Sequence, residues 1–584
     1  MEQEKRTLVH VPAHLQEFVV AQNYDKYTPI DQAVWRYVLR QNSSFLKNKG
    51  YGSYEEGLRV TGMSMEKIPN MDEMNHKLAE IGWGVTAVDG FIPPVAFFDF
   101  QAHGILPIAG DIRTLNHIAY TPAPDIIHEA AGHAPMLHDP GYAEFLRLFG
   151  GIGAKALANK QDHNLYEAIR LLSIVKEDPE ATPEQVEAAE KNLDEAAAAV
   201  TMTSEASAIS KLYWWTVEYG LIGEVSDPKI YGAGLLSSMG ESYGVYTPNV
   251  EKVAFDLHAC SLTDYNITKP QPQLYVCKDF QQLIEAVQEF AKGMAWMVGG
   301  TESLHKAVDS CAIATAEYSS GLQVSGIFTD LELDANGEAV YLKTTGGTAL
   351  AVANKELAGH DKSYHSEGFG SPIGQLEGLE TPLEDFTDTQ LVEAGIIAGN
   401  ATTLTFASGV NVQGLVKRVQ RENGKIVLVV FDDCTVTLGE KVLFQSEWGP
   451  YDMAVGAKIV SVFAGAADRE AFHAINFRPS QLQTKRPEIS AELRVLHDMY
   501  QTVRGLRESN ADDDQIAHVA SGVIDTLETH YPNDWLLRVE LLELLVPRNL
   551  LSDEQAVLRA SLDKISASDT EKAGLIANGL NLIA

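Results

Sequence analysis

The segment Tyr120-Thr-Pro-Ala-Pro-Asp-Ile-Ile-His-Glu-Ala-Ala-Gly-His-Ala-Pro135 sets His128 and His133 five residues apart, with Glu129 beside the first. Zinc proteases space their helical histidines by four, which keeps both on one helix face. A five-residue step turns about 500°, leaving the two imidazoles roughly 140° apart around a regular helix. Both can reach one metal ion only if the helix loosens locally, and Gly132 and Pro135 are residues that permit a distortion or an early end. Spacing alone is a weak signal. With 17 histidines in 584 positions, roughly half a pair at any given separation arises by chance. His133 with His138, and His360 with His365, repeat the same separation.

A second segment changes the weight of the first. Leu212-Tyr-Trp-Trp-Thr-Val-Glu-Tyr-Gly-Leu221 carries one carboxylate, Glu218, in an apolar and aromatic stretch. A buried carboxylate needs a partner or a metal. Two neutral imidazoles and one carboxylate form the facial triad of non-haem Fe(II) oxygenases, which leaves three positions open for dioxygen and water. The competing reading is a salt-bridged core glutamate.

Composition bounds the remaining classes. A chain of 584 residues predicts about three or four domains. Its 45% hydrophobic and 21% charged content is that of a globular protein and excludes wholesale disorder. A net charge of -35 repels phosphate backbones and anionic membranes, so neither nucleic acid nor membrane is expected as a partner. Met1 to Tyr24 has no continuous apolar core, so no signal peptide is read there, and no run reaches the ~18 apolar residues of a membrane helix. Cys260, Cys277, Cys311 and Cys434 are too scattered for a disulfide framework or a thiolate zinc site. The expected location is the cytoplasm.

Along the chain, Thr182-Pro183-Glu184-Gln185 opens an alanine- and glutamate-rich helix running to Val200, read as an exposed insertion. From about Ser320 the texture turns to strands. Asn336-Gly337 and Asn423-Gly424 are hairpin signals between apolar runs. Helical spacing returns from Ile489 and includes Trp535 to Val546 before Pro547. Asp334-Ala-Asn-Gly-Glu338 looks superficially like a calcium loop, but position 12 would be Thr345, so a hairpin turn is the better reading. Gly151-Ile-Gly153 follows a helical run, which makes it a weak nucleotide signal.

Four motifs in order resemble the pterin-dependent aromatic amino acid hydroxylases. They are Thr121-Pro-x-Pro-Asp125, His128-Glu-x-x-Gly-His133, Trp214-x-Thr-Val-Glu218-x-Gly-Leu and Tyr231-Gly-Ala-Gly-Leu-Leu-Ser-Ser-x-Gly-Glu241. The match is nearest to bacterial members that turn phenylalanine into tyrosine, and it spans roughly residues 20 to 296, about half the chain. The resemblance implies a mainly α catalytic domain over 1–300. The strand and helix textures then place a β-rich domain of unknown role over 320–478 and a C-terminal helical region over 485–584.

The same resemblance implies the site. His128, His133 and Glu218 would bind Fe(II), and Arg113, held by Asp125, would clamp the amino acid carboxylate. Thr121, Pro124, Trp214, Gly234 and Ser237 would line the amino acid pocket. Gly90, Phe91, Ile92 and Phe97, with neighbouring Phe98, would bind a tetrahydropterin, either tetrahydrobiopterin or a related reduced pterin. Glu129 and Tyr213 match pterin-site positions with a catalytic part. Iron and pterin would share the four electrons that split dioxygen, one oxygen going to the pterin and the other to the ring. Tyrosine or tryptophan as substrate, or a regulatory binding protein on the same fold, are the alternatives. One departure stands out: 85 positions separate His133 from Glu218, about twice the expected span, and the capped helix at 183 to 200 accounts for the excess. Oligomeric state is open.

Overall fold

The helix Pro29–Lys49 begins where the sequence provides a reciprocal cap: the Thr28 hydroxyl accepts from the Asp31 amide, and the Asp31 carboxylate accepts from the Thr28 amide. Val34, Trp35, Val38, Leu39 and Leu46 on this helix are buried in the main apolar core. The computed structural model describes residues 10–88, 90, 92–119, 124–178, 181–266, 269–473, 490–509 and 511–583. Strands Gly84–Val88 and Ile105–Ala109 pair in parallel, joined through the helix Pro94–Ala102. All ten strand residues are buried, as a parallel pair covered on both faces requires. A four-stranded mixed sheet runs in the order Asp227–Ile230, Leu221–Glu224, Gln273–Cys277, Glu251–Ala254.

The capped insertion forms as its sequence reads. Pro183–Ala198 starts on the Thr182 and Gln185 capping box and packs on Lys160–Glu177, with Ala189 its buried residue. Gly151 and Gly153 lie inside the helix Pro140–Gly153 and form no phosphate loop.

Two antiparallel sheets make up the β-rich segment. One runs Lys355–Glu356, Ala339–Val352, Leu322–Leu333, Ile313–Tyr318, Ile459–Ala464, with Gly370–Pro372 added on Ala339–Val352. The other runs Ala401–Thr405, Val410–Glu422, Lys425–Leu438, Lys441–Phe444, with Tyr451–Ala454 added on Lys425–Leu438. Asn423 and Gly424 turn the hairpin with φ of 50° and 85°, the left-handed pair that an Asn-Gly turn supplies. Asp334 is a turn residue, its carboxylate accepting from the amides of Asn336 and Glu338. Strand structure starts at Ile313, ahead of Ser320. The preceding helix Gly300–Ser310 puts Leu304 and Ala307 into the same core as Ala314, Val324 and Val462.

Helices Ala491–Glu508, Asp513–His530, Leu536–Leu545, Ser552–Ser568 and Thr570–Asn581 close the chain. Their apolar residues, among them Val503, Leu527, Trp535 and Leu562, join the core that holds Val34 and Tyr37. Trp535 meets Tyr37 edge-on at 5.1 Å, and the Tyr37 hydroxyl donates to the Leu575 carbonyl at 2.5 Å. Buried Arg36 pairs with Glu540 at 2.8 Å and with Glu543, while Arg40 reaches Glu543 at 2.9 Å. Among the described residues, no helix is long and apolar enough to cross a membrane.

Candidate metal centre and substrate clamp

The helix does loosen where the histidines need it. Ile127–His133 is π-helical, and a π-helix bonds each residue to one five positions away, so His128 and His133 come to the same side. Their ring centroids lie 5.4 Å apart. Gly132 acts differently from the expectation of a flexible break, since the turn runs through it and gives way to a tighter one only at Ala134. What matters is its missing side chain: a Cβ on Gly132 would stand 2.5 Å from the Ala233 carbonyl. Glycine therefore lets the ligand helix press against the segment Ala233–Ser237. The third residue, Glu218, ends a second π-helical turn, Trp214–Glu218.

His128 Nε2 lies 3.3 Å from Glu218 Oε2, and His133 Nε2 lies 3.2 Å from Glu218 Oε1. One donor atom from each of the three residues falls within 4.8 Å of the others. Ser237 Oγ donates to the Ala233 carbonyl at 2.8 Å and so accepts from His128 Nδ1 at 3.1 Å. That bond holds the Nδ1 proton on Ser237, so Nε2 is the nitrogen left to a metal once its own proton is released. Burial opposes a charge on His128, but Glu218 outweighs it and raises the imidazole to about 9. Burial likewise opposes the Glu218 charge, yet His133 and His128 hold its carboxyl far below the ordinary range. Both ring nitrogens of fully buried His133 lack a hydrogen-bond partner among the described residues. Crowded N and O donors with unmet lone pairs fit a divalent cation of the iron class.

Asp125 ties this centre to a cation. Its carboxylate receives Arg113 Nε and Nη2 at 2.9 Å each, and the Arg113 amide at 2.9 Å. Its Oδ1 also accepts from the His128 amide at 3.0 Å. Arg113 and Asp125 are both buried, and Asp125 is held below the usual carboxylate range because Arg113 and these amides outweigh the burial that opposes its charge. The guanidinium is thereby fixed a short chain distance from the first histidine.

Trp214 is half-buried between two rings, stacked on Tyr265 at 4.3 Å and on Tyr219 at 4.6 Å. Gly234 is buried against Tyr219, where a Cβ would sit 3.0 Å from the ring. Pro124 is half-buried and Ser237 is buried on His128. Thr121 lies outside the described residues, as does Phe91 of the pterin group. Gly90 has φ of 50°, with nothing within 4 Å of the position a Cβ would take. Ile92 packs beside Val88, Ala96 and Phe100. Phe97 and Phe98 meet Tyr213 edge-on at 5.7 Å and 5.3 Å. The Tyr213 hydroxyl accepts from Gln101 at 2.7 Å. Glu129 Oε2 is 3.8 Å from His133 Nε2, buried and without a hydrogen-bond partner among the described residues. Burial raises the Glu129 carboxyl.

Three neighbours of the site were given no role from the sequence. Tyr265 lies far along the chain from Trp214. Gln101 is, with Asp99, one of two polar residues on an otherwise apolar helix. Glu241, at the end of the fourth motif, accepts from the Tyr219 hydroxyl at 2.8 Å, and burial raises it to about 7.

Comparison of the sequence with known proteins points to the same family of sites. The family profile described as biopterin-dependent aromatic amino acid hydroxylase matches residues 19–167 and 195–299. The gap between the two blocks contains most of the capped helix Pro183–Ala198, which supports its reading as an insertion. Phenylalanine-4-hydroxylase of Mesorhizobium japonicum is 30% identical over 275 residues, covering 47% of this chain and 83% of that protein. Its counterpart in Chromobacterium violaceum is 29% identical over 274 residues, covering 46% and 77%. The crystal structure of the Chromobacterium violaceum phenylalanine hydroxylase with bound oxidized Fe(III) aligns with 28% identity over 47% of this chain and 84% of that one, at a TM-score of 0.37. On the sequence matches and the site they contain, this chain belongs to the biopterin-dependent aromatic amino acid hydroxylase family.

Proposed function

We propose that this chain is a phenylalanine 4-monooxygenase, hydroxylating L-phenylalanine to L-tyrosine with Fe(II), a tetrahydropterin and dioxygen. The observation that carries the reading is the joining of two devices by one carboxylate: Asp125 bonds both the Arg113 guanidinium and the amide of His128. The phenylalanine-4-hydroxylase relatives supply the substrate.

In this reading His128, His133 and Glu218 hold the iron, and Ser237 keeps His128 in the ligating tautomer. Arg113 takes the amino acid carboxylate through charge-assisted bonds, so the ring is oriented before reaction. Trp214, backed by Tyr219 and Tyr265, forms the aromatic wall, with Thr121, Pro124 and Gly234 completing the pocket. Gly90, Phe91, Ile92 and Phe97 hold the pterin, and Tyr213 fixes the Phe97 side through its ring. Glu129 presents a buried Oε2 with no hydrogen-bond partner among the described residues, which would bond the pterin ring and could hold a proton there. When bound, iron and reduced pterin supply the electrons that split dioxygen. The protein's part is ligation, placement and exclusion of water.

The division into 1–300, 320–478 and 485–584 is part of the proposal. The cluster from Val340 to Val455 lies wholly within the middle segment and supports it, whereas a second cluster also takes Leu157, Ala295, Leu304 and Ala307.

The test supplies purified protein with Fe(II), tetrahydropterin and oxygen, adds phenylalanine, tyrosine or tryptophan separately, and follows product by mass. Tyrosine formation that needs all three additions is expected, with pterin oxidation coupled to phenylalanine. Pterin oxidation indifferent to phenylalanine, with no tyrosine, contradicts the reading.

A further inference from the structure

The second histidine pair with five-residue spacing is also brought beside a carboxylate. His360, His365 and Asp452 each offer a donor atom, and these atoms lie within 4.8 Å of one another. The three residues are 0%, 9% and 5% exposed. All belong to the β-rich segment, remote in sequence from His128, His133 and Glu218.

The placement is built into the backbone. The Leu350 amide donates to the His360 carbonyl at 2.9 Å and the Thr348 amide to the His365 carbonyl at 3.1 Å, so both histidines are pinned to the strand Ala339–Val352. Between them Asp361 accepts from the amides of Ser363 and Tyr364, a closed polar turn. Asp452 comes from the other sheet, on the strand Tyr451–Ala454, opposite Val430. His360 Nδ1 and His365 Nε2 are 3.2 Å apart. That gap suits two nitrogens each about 2.0–2.1 Å from one ion. Tyr364 bonds the Asp452 carboxyl and Arg418 and Lys417 lie near it, yet Oδ1 is buried with no hydrogen-bond partner among the described residues, an acceptor left unmet at a cost.

One contact competes. Arg418 Nη2 donates to His360 Nε2 at 2.8 Å, which puts the His360 proton on Nδ1 and directs it at His365. A metal on Nδ1 of the neutral ring moves that proton to Nε2, where it faces the Arg418 donor, so Arg418 must turn away. Arg418 is exposed on the strand Val410–Glu422 and has solvent to turn into. Tyr364, Asp361 and Lys417 are the other polar neighbours.

We propose that His360, His365 and Asp452 form a second metal site, taking a divalent transition ion of the zinc kind with water in the remaining position. Arg418 occupies His360 when the ion is absent and competes with it.

The test uses the full chain, stripped with chelator, dialysed against Zn²⁺ and analysed for metal per chain, with Co²⁺ as the spectroscopic probe. Two ions are expected in the unaltered chain, one in the double variant His128→Ala, His133→Ala and one in His360→Ala, His365→Ala. Asp452→Asn, which keeps the side-chain shape, should weaken the second ion at least tenfold, and Arg418→Ala should tighten it. One ion in the unaltered chain and none after His128→Ala, His133→Ala overturns the proposal. Two ions retained by His360→Ala, His365→Ala, or undiminished affinity in Asp452→Asn, overturns it as well.

Discussion

Arg113 meets Asp125 through two side-chain bonds and one backbone bond, so its guanidinium is in place before any ligand arrives. A chain carrying a net charge of -35 offers no long-range attraction to a carboxylate, which leaves capture to this one cation. Arg113→Ala is expected to raise the half-saturating phenylalanine concentration at least tenfold, since a charge-assisted bond carries roughly 1.5–3 kcal/mol. Steady-state kinetics check this, and an unchanged value removes Arg113 from the clamp. Glu241 yields a pH prediction. Burial raises its carboxyl from 4.5 to about 7, so the folded state holds the proton more tightly than the unfolded chain. Its favourable contribution is complete below about 4.5 and is lost as pH rises through about 7, a change on the order of 3 kcal/mol. Glu241→Gln should flatten the loss of stability between pH 5 and pH 8.5 in urea unfolding. An identical pH slope in both proteins contradicts the assignment.

At the scale of elements, the two π-turns Ile127–His133 and Trp214–Glu218 turn sequence spacing into a metal centre. The histidine spacing disclosed the first, because five residues fit no regular helix face. Nothing in the spacing around Glu218 discloses the second, since one carboxylate defines no period. Gly132 was readable as unusual, but its reason, the 2.5 Å approach to Ala233, is a tertiary contact invisible in the sequence. Hairpins and caps were legible because Asn-Gly turns and Thr-x-x-Gln boxes act locally. The stacking of Tyr265 on Trp214 and the pairing of Asp452 with distant histidines depend on packing between elements and were not legible. The insertion Pro183–Ala198 buries Ala189 against Lys160–Glu177 and pairs Glu190 with Lys176 at 2.9 Å. Ala189→Glu should loosen it from Lys160–Glu177, making residues 178–200 more sensitive to protease, with tyrosine formation unchanged. Loss of activity without local loosening would mean that the insertion belongs to the site.

Across the whole molecule, the portions beyond the family match are fastened to the catalytic part by charge pairs and shared packing, including Lys306 on Glu205 at 3.1 Å. Arg469 pairs with Asp99 of the helix Pro94–Ala102 at 2.6 Å, beside the proposed pterin site. The C-terminal helices cover Pro29–Lys49 through Trp535 and through the buried ions Arg36, Glu540 and Glu543. Arg36→Ala leaves Glu543 to Arg40 and Glu540 to Arg507, each with one cation fewer, and should cost roughly 1.5–3 kcal/mol. Chemical unfolding measures it, and a cost below about 1 kcal/mol would show that the helices are held by apolar packing alone. Sequence texture distinguished strand from helix in these regions, with the first strand beginning earlier than read, but charge pairs hundreds of residues apart leave no local pattern to read.

The most direct test of the central claim is hydroxylation under ¹⁸O-labelled dioxygen, comparing the unaltered chain with Glu218→Ala. Tyrosine carrying one labelled oxygen from the unaltered chain, and none from the variant, is predicted. Unlabelled tyrosine, or undiminished labelled tyrosine from Glu218→Ala, would contradict a dioxygen-using centre built on His128, His133 and Glu218.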